Sequence, residues 1–522
     1  MATLPSDQVP SREKPLLKDE EDDGDEDDYE DEEDEEEEDD DEAEDEEEQK
    51  PSPAIQKARV NALFSRTVRI HVCNVVIKGN SITKDHLIEA HVADALRSAS
   101  TIQELLKASV VANARLRQLG IFDSVSITLD EGPPGLPGTA NVIIEVVEVK
   151  NKLTGDLGVF SRPEERTWSL EGLIRRKNFF GYGDIWDATV AYGWDQTAEL
   201  SAGVSLPRFG ALPNPLMARV SLLTQDWLKL SSYKEHLLGL SLGFLSTRYH
   251  DLTYNLTWRT LIDPSQMASK SVRRQLGHSL LSSIKYTFKI DKRNSHVRPR
   301  HGYAFLSSSQ IAGLVPDSKS LRFIRQEFDL RGAFPLGFYN AALNVGVAAG
   351  FVMPWGSGFV NNHSPLPEQF FMGGHSSPVC TIGGPTSLLG FKYRGLGPTD
   401  TRRHIPTDNE GSSTSVGSDA IGGDIAVGTF ADLSFDLPLK LFRQAGIHGH
   451  AFICAGNLAK LFPQELKSFS LHKFGETFRS SAGFGVIVPT KLFRMEINYC
   501  YILRQSEHDR AKTGIQFSFS SL

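Results

Sequence analysis

The sequence predicts a membrane β-barrel of sixteen antiparallel strands, preceded by one small α+β module and an acidic, disordered N-terminal tail. Three observations carry this prediction. From Lys152 onward, segments of about ten residues alternate between apolar residues and small or polar ones, as expected of strands with one face in lipid and one in a polar lumen. The polar face is crowded with glycine and serine, whereas the inner face of a soluble sandwich is normally bulky. No run of 18 uninterrupted apolar residues occurs, so a membrane would be crossed by strands rather than helices.

The tail comes first. Residues 19–48 hold 27 acidic and no basic residues, so the 522-residue chain's net charge of −12 conceals a remainder at +15. A run of like charges repels itself and buries too little apolar surface to offset its ordering entropy, so residues 1–60 read as disordered. Such a tail serves either as a tether for basic partners or simply as a solvated extension. The first residues have neither the apolar core of a secretory signal nor the Arg-rich, acid-poor character of a transit peptide. The four cysteines, Cys73, Cys380, Cys454 and Cys500, are far apart and form no CxxC, which argues for isolated thiols over a disulfide framework or a zinc site.

Residues 67–149 predict the small module. "TVRIHVCNVVIKG" alternates like a strand. "SITKDHLIEAHV" and "STIQELLKASVVANARLRQLG" place apolar residues three and four apart, as amphipathic helices do. Ser81 and Ser100 are the expected helix N-caps and Gly120 the expected C-cap. "IFDSVSITLDEG" and "ANVIIEVVEVK" add two strands about a Pro/Gly turn, completing a β-α-α-β-β order.

Residues 152–522 predict the barrel, with segments beginning near 152, 166, 183, 197, 215, 235, 251, 277, 301, 321, 341, 421, 447, 477, 491 and 512. In "LLGLSLGFL", Leu238, Leu240, Leu242 and Phe244 oppose Gly239, Ser241 and Gly243. In "MEINYCY", Met495, Ile497, Tyr499 and Tyr501 oppose Glu496, Asn498 and Cys500. An even number of strands closes and leaves no lipid-exposed edge. The one long gap, about 354–420, lies between the eleventh and twelfth segments, and a loop of that length is usually functional.

Chemistry is not indicated. "GLSLG" (Gly239–Gly243) matches the nucleophile-elbow pattern but lies mid-strand, where its serine is a lumen-facing small residue and not a nucleophile at a strand-helix turn. His448 and His450 form an HxH without a third ligand and read as surface histidines. HExxH, GxxxxGK[ST] and GxGxxG are absent, so neither an enzyme nor a bound cofactor or metal is expected.

Several motifs together resemble one superfamily. "DKRNSHVRPRHG", with Asp291, Arg293, Asn294, Pro299 and Gly302, resembles the D-x-R-[DN]…P-x-x-G turn of the outer-membrane assembly superfamily that includes bacterial BamA and the plastid Toc channel. "GGPTSLLGF", with Gly383, Gly384, Leu389, Gly390 and Phe391, resembles that superfamily's GG…[VI]RGF loop. "GGDIAVGTFADLSFDLP" and "FICAGNL" resemble the strands that follow it. The module then resembles a single POTRA domain ahead of the barrel. "LRQLGIFDSVSI", the opening "LTG" at Leu153–Gly155 and the form of the 370–398 stretch resemble the barrel subunits of the mitochondrial sorting and assembly machinery, in a plant-like version.

The family's loop arginine falls on Leu389. The resemblance implies that this arginine pairs with a carboxylate on the barrel wall; Arg394, five residues on, is expected to substitute by reaching, for example, Asp432. Leu153, Gly155 and Gly158 in the first strand and Gly514, Phe517 and Phe519 in the last are the seam residues. Glycine packs poorly in strands, which fits a seam that opens, although barrels also tolerate glycine where nothing opens. Lys512, Gly514, Phe517 and Phe519 further match a polar-x-Gly-x-x-hydrophobic-x-hydrophobic signal resembling that of mitochondrial β-barrel precursors.

The resemblance implies insertion of β-barrel precursors into the mitochondrial outer membrane, with module and tail in the intermembrane space. The implied partners are those precursors, other subunits of the machinery and membrane lipid, with no nucleic acid and no cofactor. The alternatives are a plastid envelope relative, a passive porin, and a tethering role at membrane contact sites.

Overall fold

The computed structural model describes residues 69–521 apart from 134–137, 163–166, 209–214, 318, 357–363, 375–376, 381, 404–416, 462–470 and 491–492. The acidic tail lies outside the described residues.

The N-terminal module contains β1 (His71–Lys78), α1 (Asp85–Arg97), α2 (Ile102–Gln118), β2 (Phe122–Glu131) and β3 (Thr139–Glu148). Its sheet order is β1-β3-β2, with β1 parallel and β2 antiparallel to β3. The three-and-four spacing of the helices brings Ile88, Val92, Leu96, Leu105, Ala112 and Leu116 onto Val142, Ile144 and Val146. Each large apolar side chain fully buried in this way stabilises the module by about 1.5–3 kcal/mol.

Two caps differ from expectation. Helix α1 begins after Lys84, not Ser81, because the Ser81 hydroxyl donates to Glu148 in β3 (2.9 Å). Helix α2 is capped by Thr101, whose side chain accepts from the N–H of Glu104, while the Glu104 carboxylate turns back to the N–H and hydroxyl of Ser100. Gly120 ends α2 in the left-handed region at φ +65°.

The barrel strands are β4 (Leu153–Arg162), β5 (Thr167–Lys177), β6 (Ile185–Gly193), β7 (Ala198–Leu206), β8 (Leu216–Asp226), β9 (Lys234–Ser246), β10 (His250–Ile262), β11 (Gly277–Asp291), β12 (Gly302–Ala312), β13 (Phe323–Pro335) and β14 (Ala342–Pro354). A long loop containing the short hairpin β15 (Thr399–Thr401) and β16 (Ser418–Ala420) follows. The sheet resumes with β17 (Ile425–Asp436), β18 (His448–Ala459), β19 (Arg479–Pro489), β20 (Phe493–Arg504) and β21 (Gly514–Ser521). The sixteen strands form one sheet, ordered β21 to β4, and every neighbouring pair is antiparallel.

Alternation fixes which face is which. Along β21, Ile515 and Phe517 point outward (62% and 56% exposed) while Gln516 and Ser518 are buried. Along β20, Tyr499 and Tyr501 point outward while Glu496, Asn498 and Cys500 are buried. The small residues of the inner face make room for the loop. A Cβ on Gly350 would lie 2.4 Å from the ring of Phe370, and one on Gly456 would lie 2.6 Å from Met372. His448 and His450 are not surface residues: both are buried on the inner face of β18, where His450 is engaged by Asp432 and Asn498 of nearby strands.

Since β4 leaves the module, every second strand connection returns to the module's rim. The β5–β6 turn docks there: the Lys84 N–H donates to Gly181 O (3.0 Å), Asn178 Nδ2 to Thr83 Oγ1 (2.7 Å), and Lys177 Nζ to Gly120 O (3.1 Å). The loop between β14 and β17 enters from the opposite rim.

Candidate functional site: the lumen loop and the seam

The loop enters past Leu366, which is fully buried, and Glu368, whose carboxylate meets Arg259 (2.7 Å) and Arg325 (3.3 Å). Phe370 follows, with the Arg325 guanidinium 4.5 Å over its ring. The chain then runs toward the module's rim. There Val379 O accepts from Arg293 (2.8 Å) and Arg331 (3.3 Å). The N–H groups of Gly383 and Gly384 donate to Asp329 (3.1 and 3.4 Å), which is also forked by Arg331 (2.9 and 2.8 Å).

The turn motif thus meets the loop four residues ahead of Gly383, 86 residues away in sequence at the Arg293–Val379 bond. The turn holds Arg293 ready. Asp291 accepts from its Nε and Nη2 (3.0 and 2.8 Å), and Asn294 Oδ1 accepts from the N–H groups of Arg300 and His301 (2.8 and 3.2 Å). Pro299 is buried within the turn. Gly302 closes it at φ +106°, where a Cβ would lie 2.3 Å from Lys292 O.

On its return the loop braces the last strand. The Gly390 N–H donates to Gln516 Oε1 (3.3 Å) and its carbonyl accepts from the Lys512 N–H (2.9 Å). The Lys392 N–H donates to Arg510 O (2.9 Å), and the Ser481 hydroxyl to Leu389 O (2.6 Å). Leu388, Leu389 and Phe391 are all buried in an apolar cluster with Met372, Phe452, Cys454 and Cys500. Leu389 therefore takes no part in ionic anchoring; at this position the loop is held by apolar contact.

Arg394 does not reach Asp432. It turns back toward the opposite rim at φ +50° and stacks on Trp227 (3.6 Å to the ring centre) and Phe371 (3.9 Å), with Ser231 Oγ at 3.4 Å and Tyr233 OH at 3.5 Å. A guanidinium between aromatic faces gains cation–π attraction without a carboxylate. Asp432 is already engaged by His450 Nδ1 (2.6 Å). His450 Nε2 meets Asn498 Oδ1 (2.7 Å), Asn498 donates to Glu496 (3.1 Å), and Arg494 Nε donates to Glu496 (2.8 Å).

The sequence suggests Asp432 and His450 separately, in other roles, and does not join them with Asn498, Glu496 and Arg494 into this wall chain. Its one local signal is the i, i+2 spacing of Arg494, Glu496 and Asn498, which places them on one strand face. Because Arg394 and Asp432 belong to separate clusters, reversing both charges is expected to give no rescue over either single reversal. A double-mutant cycle on heat-induced unfolding in detergent checks this.

The seam lies beside the braced strand. β4 and β21 bring Cα atoms within 8 Å of one another, yet among the described residues they form no hydrogen-bonded ladder: the sheet order ends at β4 on one side and β21 on the other. Leu153 is exposed (65%), and Gly155 and Gly158 lie in the same strand. Gly514 opens β21 at φ +125°, Phe517 points outward, and Phe519 lies further along.

The Omp85 superfamily domain matches residues 178–521. The sorting and assembly machinery component 50 homologs of Mus musculus and Homo sapiens are each 28% identical over 462 residues, covering 85% of this chain and 89% of theirs. Among solved structures, BamA from Haemophilus ducreyi lacking POTRA domains 1-3 superposes with a TM-score of 0.67 at 16% identity, covering 87% of this chain and 85% of that one.

Proposed function

Because the chain belongs to the Omp85 superfamily, we propose that it inserts and assembles β-barrel precursor proteins in the mitochondrial outer membrane, using the edges of β4 and β21 as templates. The observation that carries this reading is the seam, where two strands abut without pairing. A strand entering lipid unpaired leaves its N–H and C=O groups unsatisfied, at several kcal/mol each. Adding that strand to an existing edge satisfies one row of these groups before it leaves water. Gly155, Gly158 and Gly514 keep the seam strands weakly packed, so the exchange displaces little.

In this reading residues 67–149 are a POTRA domain that receives clients in the intermembrane space, residues 152–522 are the barrel, and the acidic tail shares the module's side. Its partners are the precursors, further subunits of the assembly machinery and lipid. The loop has a mechanical role, because it fixes the lead-in of β21 through Gly390 and Lys392, while among the described residues it makes no hydrogen bond to β4. A passive porin fits less well, since the lumen is threaded by this loop from rim to rim.

Depletion of the chain in organelles, followed by import of radiolabelled porin precursor, tests the reading. The precursor is expected to reach the membrane yet fail to mature into its assembled form. Normal assembly with lost small-solute permeability would instead indicate a pore.

A further inference from the structure

We infer that the barrel rim opposite the N-terminal module carries a binding site for a phosphate-bearing anion. A cavity of about 480 Å³ lies between the ends of the β10–β14 wall and the entering loop. Arg259, Arg274 and Arg322 line it together with Ser279 and Ser320, and among the described residues no carboxylate-bearing residue lines it. Arginines around one cavity suit the several oxygens of a phosphate, because a guanidinium offers a planar fork of donors.

The donors there are not used up within the chain. Arg259 is buried and ion-paired with Glu235 (2.9 Å) and Glu368 (2.7 Å), but its Nη1 has no hydrogen-bond acceptor. The Ser320 hydroxyl is likewise enclosed without a partner. Arg259 is thus held in the wall by its two carboxylates, and the cations left to face an occupant are Arg274 and Arg322. Arg274 and Arg322 form no ion pair among the described residues.

The position favours a soluble source over a lipid headgroup. Arg259 and Leu261 are buried on the inner face of β10, while their strand neighbour Trp258, on the opposite face, is 40% exposed. Pro365 and Pro367, which also line the cavity, flank the buried anchor Leu366 and lead into Glu368. An occupant would therefore stiffen the entry of the lumen loop. None of this depends on the function proposed above.

The test is calorimetric titration of the purified full chain in micelles with sodium pyrophosphate, against sodium chloride at matched ionic strength. Saturable pyrophosphate binding is expected, weakened at least about tenfold in the Arg274→Gln/Arg322→Gln double variant. That variant should keep the wild-type unfolding temperature without ligand, since neither side chain is ion-paired. In nanodiscs, undiminished pyrophosphate binding when phosphatidic acid is added supports a soluble ligand, and competition by phosphatidic acid assigns the site to a lipid headgroup. No binding at millimolar pyrophosphate, or equal binding by the double variant, would overturn the site.

Discussion

Phe391→Ala is expected to unseat the lumen loop, at a cost of about 3–5 kcal/mol, the usual range for truncating a fully buried phenylalanine. Phe391 is completely buried in the cluster with Phe452, Cys454 and Cys500, on the segment that bonds to Arg510, Lys512 and Gln516. Losing the ring should release the lead-in of β21 as well as the loop. Limited proteolysis of the 383–395 stretch and heat-induced unfolding in detergent should both shift toward lability. Gly383→Ala is the matched control: a Cβ there meets nothing within 4 Å, so the change should be nearly neutral. Wild-type protection of the loop in Phe391→Ala would mean that apolar packing is not what holds it.

The second large effect is expected at Glu148, where the module joins the barrel. Its Oε1 accepts from the N–H groups of Ser81 (3.1 Å), Ile82 (2.9 Å) and Thr83 (2.8 Å) and from the Thr83 hydroxyl (2.8 Å). Its Oε2 accepts from Ser81 Oγ (2.9 Å) and Lys152 Nζ (3.0 Å). One carboxylate therefore ties the start of α1 to the residue before the first barrel strand. Glu148→Ala strands the N–H and hydroxyl of Thr83, the buried member of this set, at about 1–3 kcal/mol for each donor left unsatisfied, while the exposed Ser81 and Ile82 turn to water. The docking of Thr83 and Lys84 on Asn178 and Gly181 should weaken with it.

Burial alone would raise the Glu148 pKa, but the hydrogen bonds from Thr83 and Ile82 and the Lys152 contact outweigh it and hold the carboxyl well below its usual range. A carboxylate whose folded pKa is depressed contributes fully above its unfolded pKa, ordinarily about 4.3, and loses that contribution as pH falls through the lowered folded value. Stability of the module should therefore drop on acidification below the ordinary carboxylate range. Glu148→Gln should flatten that part of the profile and leave the rest unchanged, as followed by intrinsic fluorescence against pH. An unchanged acid slope in Glu148→Gln would remove this residue from the junction.

The strands were legible because their signal is local. Lipid demands an apolar residue at every second position, so each of the sixteen segments announces itself, and every strand starts within four residues of its expected place. The wrong expectations share a different cause. Whether His450 meets water or protein depends on residues of other strands, Asp432 and the more distant Asn498, that close around it. Ser81 failed as a cap because its hydroxyl is engaged by Glu148, 67 residues distant. Arg394 could not be placed because the backbone reverses at φ +50° and turns it to the Trp227 cage. The motif at Gly383 to Phe391 was legible as a loop, but not as the brace of β21, since its partners lie on the last strands.

The central claim is that the edges of β4 and β21 must separate to serve a client. Cysteine pairs scanned across these two strands in a Cys73→Ser/Cys380→Ser background, where the remaining native Cys454 and Cys500 are buried, lock the seam on oxidation. In organelles carrying only the locked chain, assembly of imported porin precursor should fall to background and return when the disulfide is reduced. Undiminished assembly with the seam locked would contradict the account.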